Sequence, residues 1–286
     1  MKLQALIDFM EAIFPLELAE EWDNVGLLLG ARESQIKKVM TCLTVNDAVV
    51  DEAIEFGANV IISHHPFPFH SSKKWTSDTT AGRLTLRLLG AQIAVYSPHT
   101  AHDSAFFGIN RQLAEGLGLM KIESLYEPKI RPNKEMLAGL DKELEKYLSG
   151  DLRKKSAALG AGRIGRFRKS RTLGEFVALV KDMLQIERAL VVGEDSKKIL
   201  RVAIGCGAAD DFIDEAAKKG ADVVLTGEAR FHACEEARAR DVAVVLAGHY
   251  ATERFSAQIL AERIERQFSD LTVKASVQES DPIRII

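Results

Sequence analysis

Two stretches of the chain repeat one another: Asp51-Glu-Ala-Ile-Glu-Phe-Gly57-Ala-Asn-Val-Ile-Ile-Ser63-His64 and Asp214-Glu-Ala-Ala-Lys-Lys-Gly220-Ala-Asp-Val-Val-Leu-Thr226-Gly227. Each describes a short helix closed by a glycine, followed by an apolar strand that ends in small or polar residues. The second copy starts 163 positions after the first. Self-similarity on this scale indicates duplicated supersecondary structure, so it is the basis of the fold prediction.

The flanking segments extend the repeat in both directions. Upstream, the β-rich run Val39-Met-Thr-Cys-Leu43 matches Val202-Ala-Ile-Gly-Cys206. Downstream, Ala94-Val-Tyr-Ser-Pro-His99 matches Val244-Val-Leu-Ala-Gly-His249 at a spacing of 150. The first copy therefore holds about 13 extra residues, which we place in the polar loop around residues 70–80. Each copy predicts strand, helix, strand, helix, strand and then a sharp turn into a helix.

These elements predict an α/β protein with two pseudo-repeated lobes and mostly parallel, helix-covered sheets. We expect residues 1–125 to form the first lobe and residues 126–286 the second, which carries an inserted segment at about 127–198. Within that segment, residues 134–148 and 172–184 have the pattern of amphipathic helices. Thr172 and Glu175 predict a capping box for the second of these helices. A shared site is expected between the two lobes.

Composition excludes several classes of protein. The 286 residues carry a net charge of −3, with 47% hydrophobic and 28% charged residues, so no overall basic field favours nucleic acid. A local cluster, read as a solvated face, contains Arg163, Arg166, Arg168, Lys169 and Arg171. No apolar run approaches membrane-spanning length, and the N-terminal pattern predicts a helix rather than a signal peptide. Three scattered cysteines predict neither a disulfide framework nor a cysteine-based zinc site, which favours the cytoplasm.

His64 and His65 directly follow an apolar strand, where sites form in parallel sheets. Adjacent residues of an extended backbone point in opposite directions, so neighbouring histidines serve two ions better than one. The pair therefore suggests a dinuclear metal centre. The alternative is a structural role in which both rings bond to backbone carbonyls of the loop.

A second group of ligands is predicted at the ends of the third strands. His249 and Glu253 lie four residues apart on one face of a helix, and His99 and Asp103 occupy the same place in the other copy. Imidazole and carboxylate ligands suit Zn, Mn, Fe, Co or Ni rather than Ca. Two such ions would lower the pKa of a shared water and orient an electrophile. The predicted metal ligands are His64, His65, Asp103, His249 and Glu253.

Other polar residues have weaker or alternative interpretations. His99 and His232 are candidates for outer-shell or proton-transfer roles, with a purely structural role as the alternative for His99. His70 and His102 are expected at the surface. Asp23 and Asn24 are interpreted as turn residues that could reach the edge of the site. The glycine pattern of residues 160–165 spells a dinucleotide fingerprint but lacks the preceding strand and following helix, so we do not interpret it as a nucleotide site.

With these residues in hand, the chain resembles the Nif-three-like family, also known as the GTP cyclohydrolase 1 type 2 family. The resemblance runs along nearly the whole chain, and His-His-Pro and Gly-His-Tyr-x-x-Glu are its most specific motifs. One departure is Ala101, where members commonly have Asn. The similar motifs are Trp22-Asp-Asn-Val-Gly-Leu27, Ser63-His-His-Pro66, His99-Thr100 with Asp103, Gly227-Glu228 with His232, Gly248-His-Tyr-Ala-Thr-Glu253 and Asp281-Pro-Ile-Arg284.

The resemblance implies a dinuclear centre on the same five ligands and a homohexamer whose metal sites face an internal cavity. It also implies a metal-dependent hydrolase of GTP cyclohydrolase type that acts on a nucleotide or another phosphorylated small molecule. Two alternatives stay open. One keeps the site but assigns two-metal phosphoesterase chemistry. The other is a non-enzymatic metal-binding assembly or regulator that works through partners.

Overall fold

The computed structural model of the chain describes residues 1–70, 72–128 and 159–284. These residues form two compact units. The first unit comprises Met1–His102 and Ser256–Ile286, and the second comprises Asp103–Phe255. Among the described residues, no helix has both the length and the apolar character that crossing a membrane requires.

The first unit contains a five-stranded sheet with the order β1-β4-β3-β2-β11. Strands β2, β3, β4 and β11 are parallel, and β1 runs antiparallel to β4 at one edge. The strands are β1 (Gly26–Leu29), β2 (Lys38–Cys42), β3 (Val60–Ser63), β4 (Ala94–Ser97) and β11 (Thr272–Ala275). The helices are α1 (Leu3–Ile13), α2 (Asp47–Phe56), α3 (Thr80–Gly90), α4 (His99–Ser104, which continues into the second unit) and α10 (Phe255–Gln267).

The second unit contains a six-stranded sheet with the order β5-β6-β8-β9-β10-β7. Strands β8, β9 and β10 are parallel, whereas β5, β6 and β7 pair in antiparallel fashion. The strands are β5 (Met120–Ser124), β6 (Arg163–Thr172), β7 (Leu190–Val192), β8 (Lys198–Ala208), β9 (Val223–Glu228) and β10 (Ala243–Leu246). The helices are α5 (Ile109–Gly116), α6 (Leu173–Leu184), α7 (Phe212–Lys218), α8 (Phe231–Ala239) and α9 (His249–Glu253).

The predicted duplication is confirmed element by element. The order β2-α2-β3-α3-β4-α4 of the first unit recurs as β8-α7-β9-α8-β10-α9 in the second. The extra residues of the first copy also lie where the spacing places them: residues 64–79 connect β3 to α3, but only residues 229–230 connect β9 to α8. The α/β class with two helix-covered sheets is therefore correct. The expectation of mostly parallel strands holds for the first sheet, whereas three of the five strand pairings in the second sheet are antiparallel.

The central strands are buried on both faces, which explains their near-continuous apolar sequences. Every residue of β3 and β4 is buried, and helices cover both sheets through their apolar faces. The N-cap of helix α2 is Asn46, whose side chain accepts a hydrogen bond from the Val49 amide. Its C-cap is Gly57, which has the left-handed conformation typical of that position. The local sequence thus determines where the helix begins and ends, and burial on both faces of the sheet determines the apolar composition of the strands.

The units correct the predicted lobe boundaries of residues 1–125 and 126–286. The C-terminal segment belongs to the first unit, because β11 pairs in parallel with β2 at the sheet edge. Residues 103–125 belong to the second unit, because β5 pairs with β6 and α5 packs on its core. The pseudo-repeat does not reveal either exchange, since both depend on pairing between distant segments.

The predictions for the inserted segment are confirmed in part. The capping box of α6 is confirmed, with Thr172 and Glu175 each bonded to the backbone of the other. The helix predicted over residues 134–148 lies outside the described residues. The glycine pattern of residues 160–165 leads into strand β6 rather than a helix. In the basic cluster, four members are exposed, but Arg163 is buried, which corrects its interpretation as a surface residue.

Candidate metal centre

In the first unit, three histidines converge at the carboxyl end of the parallel sheet. Their ligand atoms lie within 4.8 Å of one another in the group His64, His65 and His99. Strand β2 fixes the backbone of the pair, because the amides of His64 and His65 donate to Cys42 and Leu43 at 3.0 and 2.8 Å. The predicted strand-end location of the histidine pair is thus realised, and His99 joins it as a third donor.

His99 is held by a carboxylate that lies far from it in sequence. Its Nδ1 lies 2.8 Å from Oδ1 of Asp23, whose side chain is almost fully buried. The other Asp23 oxygen accepts from the backbone amide and hydroxyl of Thr100. Burial raises the pKa of Asp23, but the hydrogen bonds from His99 and Thr100 outweigh it and leave the pKa below its usual value. Asp23 is therefore a carboxylate that orients His99. This position agrees with the expectation that Asp23 could reach the edge of the site.

His65 is oriented in the same way by a neutral partner. Its Nδ1 lies 2.7 Å from the hydroxyl oxygen of Thr44, in the loop after β2. Glu279 in turn accepts hydrogen bonds from the amides of Leu43 and Thr44, at 2.8 and 2.5 Å. The C-terminal segment therefore braces the loop that orients His65.

In the second unit, His249 begins α9 directly after β10 and lies between two carboxylates. Its Nδ1 is 2.9 Å from Oε1 of Glu228, and its Nε2 is 3.1 Å from Oε2 of Glu253. Glu253 above all, and Glu228 in addition, raise the pKa of His249 to about 9. A cation is therefore favoured at this ring, which carries a proton at neutral pH when nothing else binds it.

Two glycines leave room beside these side chains. Gly207 has a φ of 61°, and a Cβ there would overlap Oε1 of Glu253 and approach Nε2 of His249 to 3.1 Å. A Cβ on Gly227 would lie 2.8 Å from Cα of His249. In the repeat, Gly227 near the end of β9 occupies the position that His64 has after β3.

Asp103 lies at the same end of β8. The thiol of Cys206 donates to Oδ1 of Asp103 over 3.2 Å, and Asn110 bridges the two residues by bonding to the Asp103 carbonyl and the Cys206 amide. Burial raises the pKa of the Cys206 thiol, and the nearby carboxylates of Asp103 and Glu253 raise it further. Asp103, His249 and Glu253 are thus gathered at one end of the second sheet.

The remaining histidines differ in their exposure to solvent. His232 is exposed in the first turn of α8, and its ring contacts the neighbouring Phe231 at 5.8 Å between centroids. His70 is exposed, as expected. His102 is buried, which corrects its interpretation as a surface residue: its ring packs on Phe14 at 4.1 Å and lies 5.8 Å from His64.

Several residues of the site carry no usable signal in the sequence. Thr44, Asn110 and Cys206 belong to common residue types without a motif. Thr44 binds His65 across 21 positions, and Cys206 binds Asp103 across 103 positions. The sequence motif groups Glu228 with His232, whereas the structure pairs Glu228 with His249. The repeat offers one hint, because Gly227 aligns with His64 of the first copy.

The donor set fits a divalent transition metal. Imidazole nitrogens and carboxylate oxygens are the ligands that Zn, Mn, Fe, Co and Ni share. The Nδ1 atoms of His65, His99 and His249 each have a polar partner, and Nε2 of His249 also lies 3.1 Å from Oε2 of Glu253. Such outer partners are typical of metal-binding histidines, because they fix the ring orientation and the tautomer. The first unit therefore contains a three-histidine group that could hold a metal ion, and the second unit supplies His249 and Glu253 as potential ligands of the same chemical type.

Comparison with known families gives a decisive match. The family model Duf34/NIF3 (NGG1p interacting factor 3) matches residues 1–282. The chain belongs to the Duf34/NIF3 family. The Duf34/NIF3 relatives include the GTP cyclohydrolase 1 type 2 homolog of Clostridium acetobutylicum, 32% identical over 93% of this chain and 90% of the relative. The homolog of the same name from Clostridium perfringens is 31% identical over the full length of both chains.

Solved structures of the Duf34/NIF3 fold agree with this assignment. A Staphylococcus aureus hypothetical protein superposes with a TM-score of 0.85 at 28% identity, covering 100% of this chain and 99% of that one. A Bacillus cereus protein related to NIF3 gives a TM-score of 0.83 at 25% identity and the same coverage. The two-sheet α/β architecture is therefore that of the family.

Proposed function

We propose that this Duf34/NIF3 protein is a metal-dependent hydrolase with a dinuclear centre whose ligands are His64, His65, Asp103, His249 and Glu253. The observation that carries the proposal is the matched orientation of three rings: Thr44, Asp23 and Glu228 engage Nδ1 of His65, His99 and His249. Helix α4 places Asp103 four positions after His99, so the two side chains lie on one face of the same helix.

The chemistry follows from the charges around the donors. When bound, two divalent ions would supply Lewis acidity and lower the pKa of a water molecule toward neutrality. Glu228 and Glu253 balance cationic charge at His249, since both carboxylates approach its ring nitrogens. Asp23 holds His99 in one orientation through Nδ1, so Nε2 is the atom that we assign to proton transfer. His232 is the second candidate for proton transfer, from its exposed position on α8.

The substrate class comes from the relatives. Their name, GTP cyclohydrolase 1 type 2 homolog, supports hydrolysis of a nucleotide or another phosphorylated small molecule. The same donor set would serve phosphoester hydrolysis, because a two-metal site can stabilise both the attacking and the leaving oxygen. Formate released from GTP would support the first activity, and phosphate released from phosphoesters would support the second.

The metal centre is tested by elemental analysis of protein purified without chelators. We expect about two transition-metal ions per chain in the wild type and a marked loss in His64→Ala and Glu253→Gln, with native circular dichroism. His70→Ala is the matched control, because His70 is an exposed histidine of the same unit as His64. Wild-type protein that stays metal-free after reconstitution with Zn, Mn, Fe, Co or Ni would overturn the proposal.

A turnover assay distinguishes the proposed hydrolase from the non-enzymatic assembly protein. Metal-loaded wild type is assayed for formate from GTP and for phosphate from a phosphoester panel, with Glu253→Gln as the inactive reference. A full metal complement without turnover on any substrate would support the non-enzymatic alternative, in which the protein works through partners. A cellular role that survives Glu253→Gln would support it further.

Assembly and location complete the proposal. We expect a homohexamer in the cytoplasm, acting on a small molecule rather than on a membrane or nucleic acid. Light scattering should then report about six times the chain mass of 31.5 kDa. A single-chain mass would remove the hexamer from the proposal but leave the metal centre intact.

A further inference from the structure

Three consecutive residues near the N-terminus, Trp22, Asp23 and Asn24, have different roles. Asp23 is buried and binds His99 and Thr100. Asn24 donates to the carbonyl of Pro68 at 3.0 Å and so fixes the loop that carries Phe69. Trp22 has no comparable structural role, since 65% of its surface is exposed. A large ring held at the surface by two anchored neighbours calls for an explanation beyond packing.

Phe69 forms a platform with Trp22. Its side chain is 45% exposed, and the two ring centroids are 6.5 Å apart with a tilt of 33° between the planes. The centroids lie at nearly equal distances from the His99 ring, 6.0 Å for Trp22 and 5.9 Å for Phe69. Both rings stand nearly perpendicular to that imidazole. The aromatic platform, Trp22 with Phe69, therefore borders the three-histidine cluster.

We propose that the aromatic platform binds the planar heteroaromatic ring of a phosphorylated small molecule beside His99. The inference names the ligand class of the site in the proposed function and rests on that function. Exposed faces of Trp and Phe offer a planar ring a stacking surface, and such stacking accepts rings of different size. Because Asp23 and Asn24 anchor the turn and the Phe69 loop, the platform is held in place before a ligand arrives.

The arrangement favours a flat ring over an aliphatic chain. An aliphatic ligand would be expected in a concave apolar pocket, whereas the platform presents two partly exposed aromatic rings next to the His99 imidazole. A ring stacked on Trp22 or Phe69 would lie next to His99, the residue that we assign to proton transfer. Recognition of the ring and the proposed chemistry would then occur at neighbouring side chains.

The test compares ligands that differ only in the ring. Metal-loaded protein is titrated by calorimetry with UMP, GMP and FMN, and with ribose 5-phosphate as the ligand without a ring. We expect at least one ring compound to bind about tenfold or more tightly than ribose 5-phosphate, and Trp22→Leu or Phe69→Leu to remove about that factor. Trp22→Phe should restore most of the affinity, because it keeps a ring at this position.

Trp75 provides the matched control, since it is the other tryptophan of the chain and is 40% exposed. Trp75→Leu should leave ring binding unchanged. In the Trp75→Phe protein, Trp22 is the sole tryptophan, so its fluorescence should be quenched on addition of the ring compound. Quenching would locate the bound ring at the platform.

Four results would overturn the inference. These are equal binding of ring compounds and ribose 5-phosphate, wild-type ring binding by Trp22→Leu, an equal loss in Trp75→Leu, and a change in native mass in Trp22→Leu without a change in ring binding. The last would identify the platform as an interface between protein chains. Metal content is measured on every sample. Ring binding by a protein that takes up no metal would refute the proposed hydrolase but keep the platform. A protein that holds metal but does not bind the ring compounds would refute the platform alone.

Discussion

At the scale of single residues, His99 combines an unusual backbone with an anchored side chain. Its φ is 28°, a left-handed conformation that residues other than glycine rarely adopt. Such strain persists only when the surroundings fix the residue, and it is found preferentially at functional sites. Asp23 supplies that constraint by binding both the His99 ring and the amide of Thr100. The strained backbone therefore supports the functional role assigned to His99.

Gly207 offers a residue-scale test of the metal cluster. In Gly207→Ala, the added methyl group would occupy the space beside Glu253 and His249 and would also place alanine at a φ of 61°. We expect the free energy of unfolding to fall by roughly 2–4 kcal/mol, from left-handed strain and overpacking together. Metal content, measured by elemental analysis, should fall well below that of the wild type.

The matched control is Gly220→Ala. Gly220 has a φ of 70°, and a Cβ there meets nothing within 4 Å, so the variant has the strain without the crowding. Urea unfolding should show a loss of about 1–2 kcal/mol, and metal content should equal that of the wild type. If both variants retain the full complement of metal, the space beside Gly207 is not part of the metal site.

At the scale of elements, α4 depends on a guanidinium group at its C-terminal end. Arg163 is 1% exposed and donates to the carbonyls of Ser104 and Ala105, as well as to those of Gly160 and Gly162. Burial lowers its pKa, with the Arg111 charge as a further cause, to about 9. The charge lies at the negative end of the helix that carries His99 and Asp103, where it satisfies carbonyls that the helix leaves open.

We expect Arg163→Met to remove these bonds and leave buried carbonyls without donors. The free energy of unfolding, measured with urea, should fall by on the order of 3 kcal/mol. Metal content should fall as well, because the C-terminal end of α4 next to Asp103 would no longer be fixed. Arg166→Met is the control, since Arg166 is an exposed residue of the same strand. Equal stability of the two variants would show that the cap on α4 is unimportant.

At the scale of the whole molecule, the C-terminal segment returns to the first unit, where the buried carboxylate of Glu52 binds it. Glu52 is 5% exposed and accepts hydrogen bonds from Ser276 and Lys274 at 2.6 and 2.9 Å. It also accepts from the amides of Val277 and Gln278. Burial raises the pKa of Glu52, but these bonds outweigh it, so the pKa lies below the ordinary value of 4.5.

This shift predicts a pH dependence of stability. Because the pKa of Glu52 is lower in the folded state, its contribution is fully present above the unfolded value of 4.5 and is lost as the pH falls through the folded value. Glu52→Gln should lower the free energy of unfolding at pH 7 by about 1–3 kcal/mol. The difference from the wild type should shrink below pH 4.5, as urea unfolding at several pH values would show.

The control for this prediction lies on the same helix. Glu55 is exposed on α2, so Glu55→Gln should change stability little at any pH. A difference between Glu52→Gln and the wild type that stays constant down to acidic pH would contradict the role of the charge. It would then be the lost hydrogen-bond geometry that destabilises the variant.

The sequence by itself determined the repeated elements and the donor residues. Apolar periodicity and glycine stops are local, so they revealed β2-α2-β3-α3-β4-α4 and its second copy, the capping box of α6 and the histidines at the strand ends. The convergence of His64, His65 and His99 could also be predicted from the sequence, because parallel strands of one sheet end at the same edge.

Only the tertiary structure decided the partners of these residues and the extent of the units. Asp23 meets His99 across 76 positions, and β11 joins β2 from the other end of the chain. The same applies to the burial of Arg163 and His102, which their polar types argue against. Such contacts depend on strand pairing and on packing between distant segments, and local pattern carries no information about either.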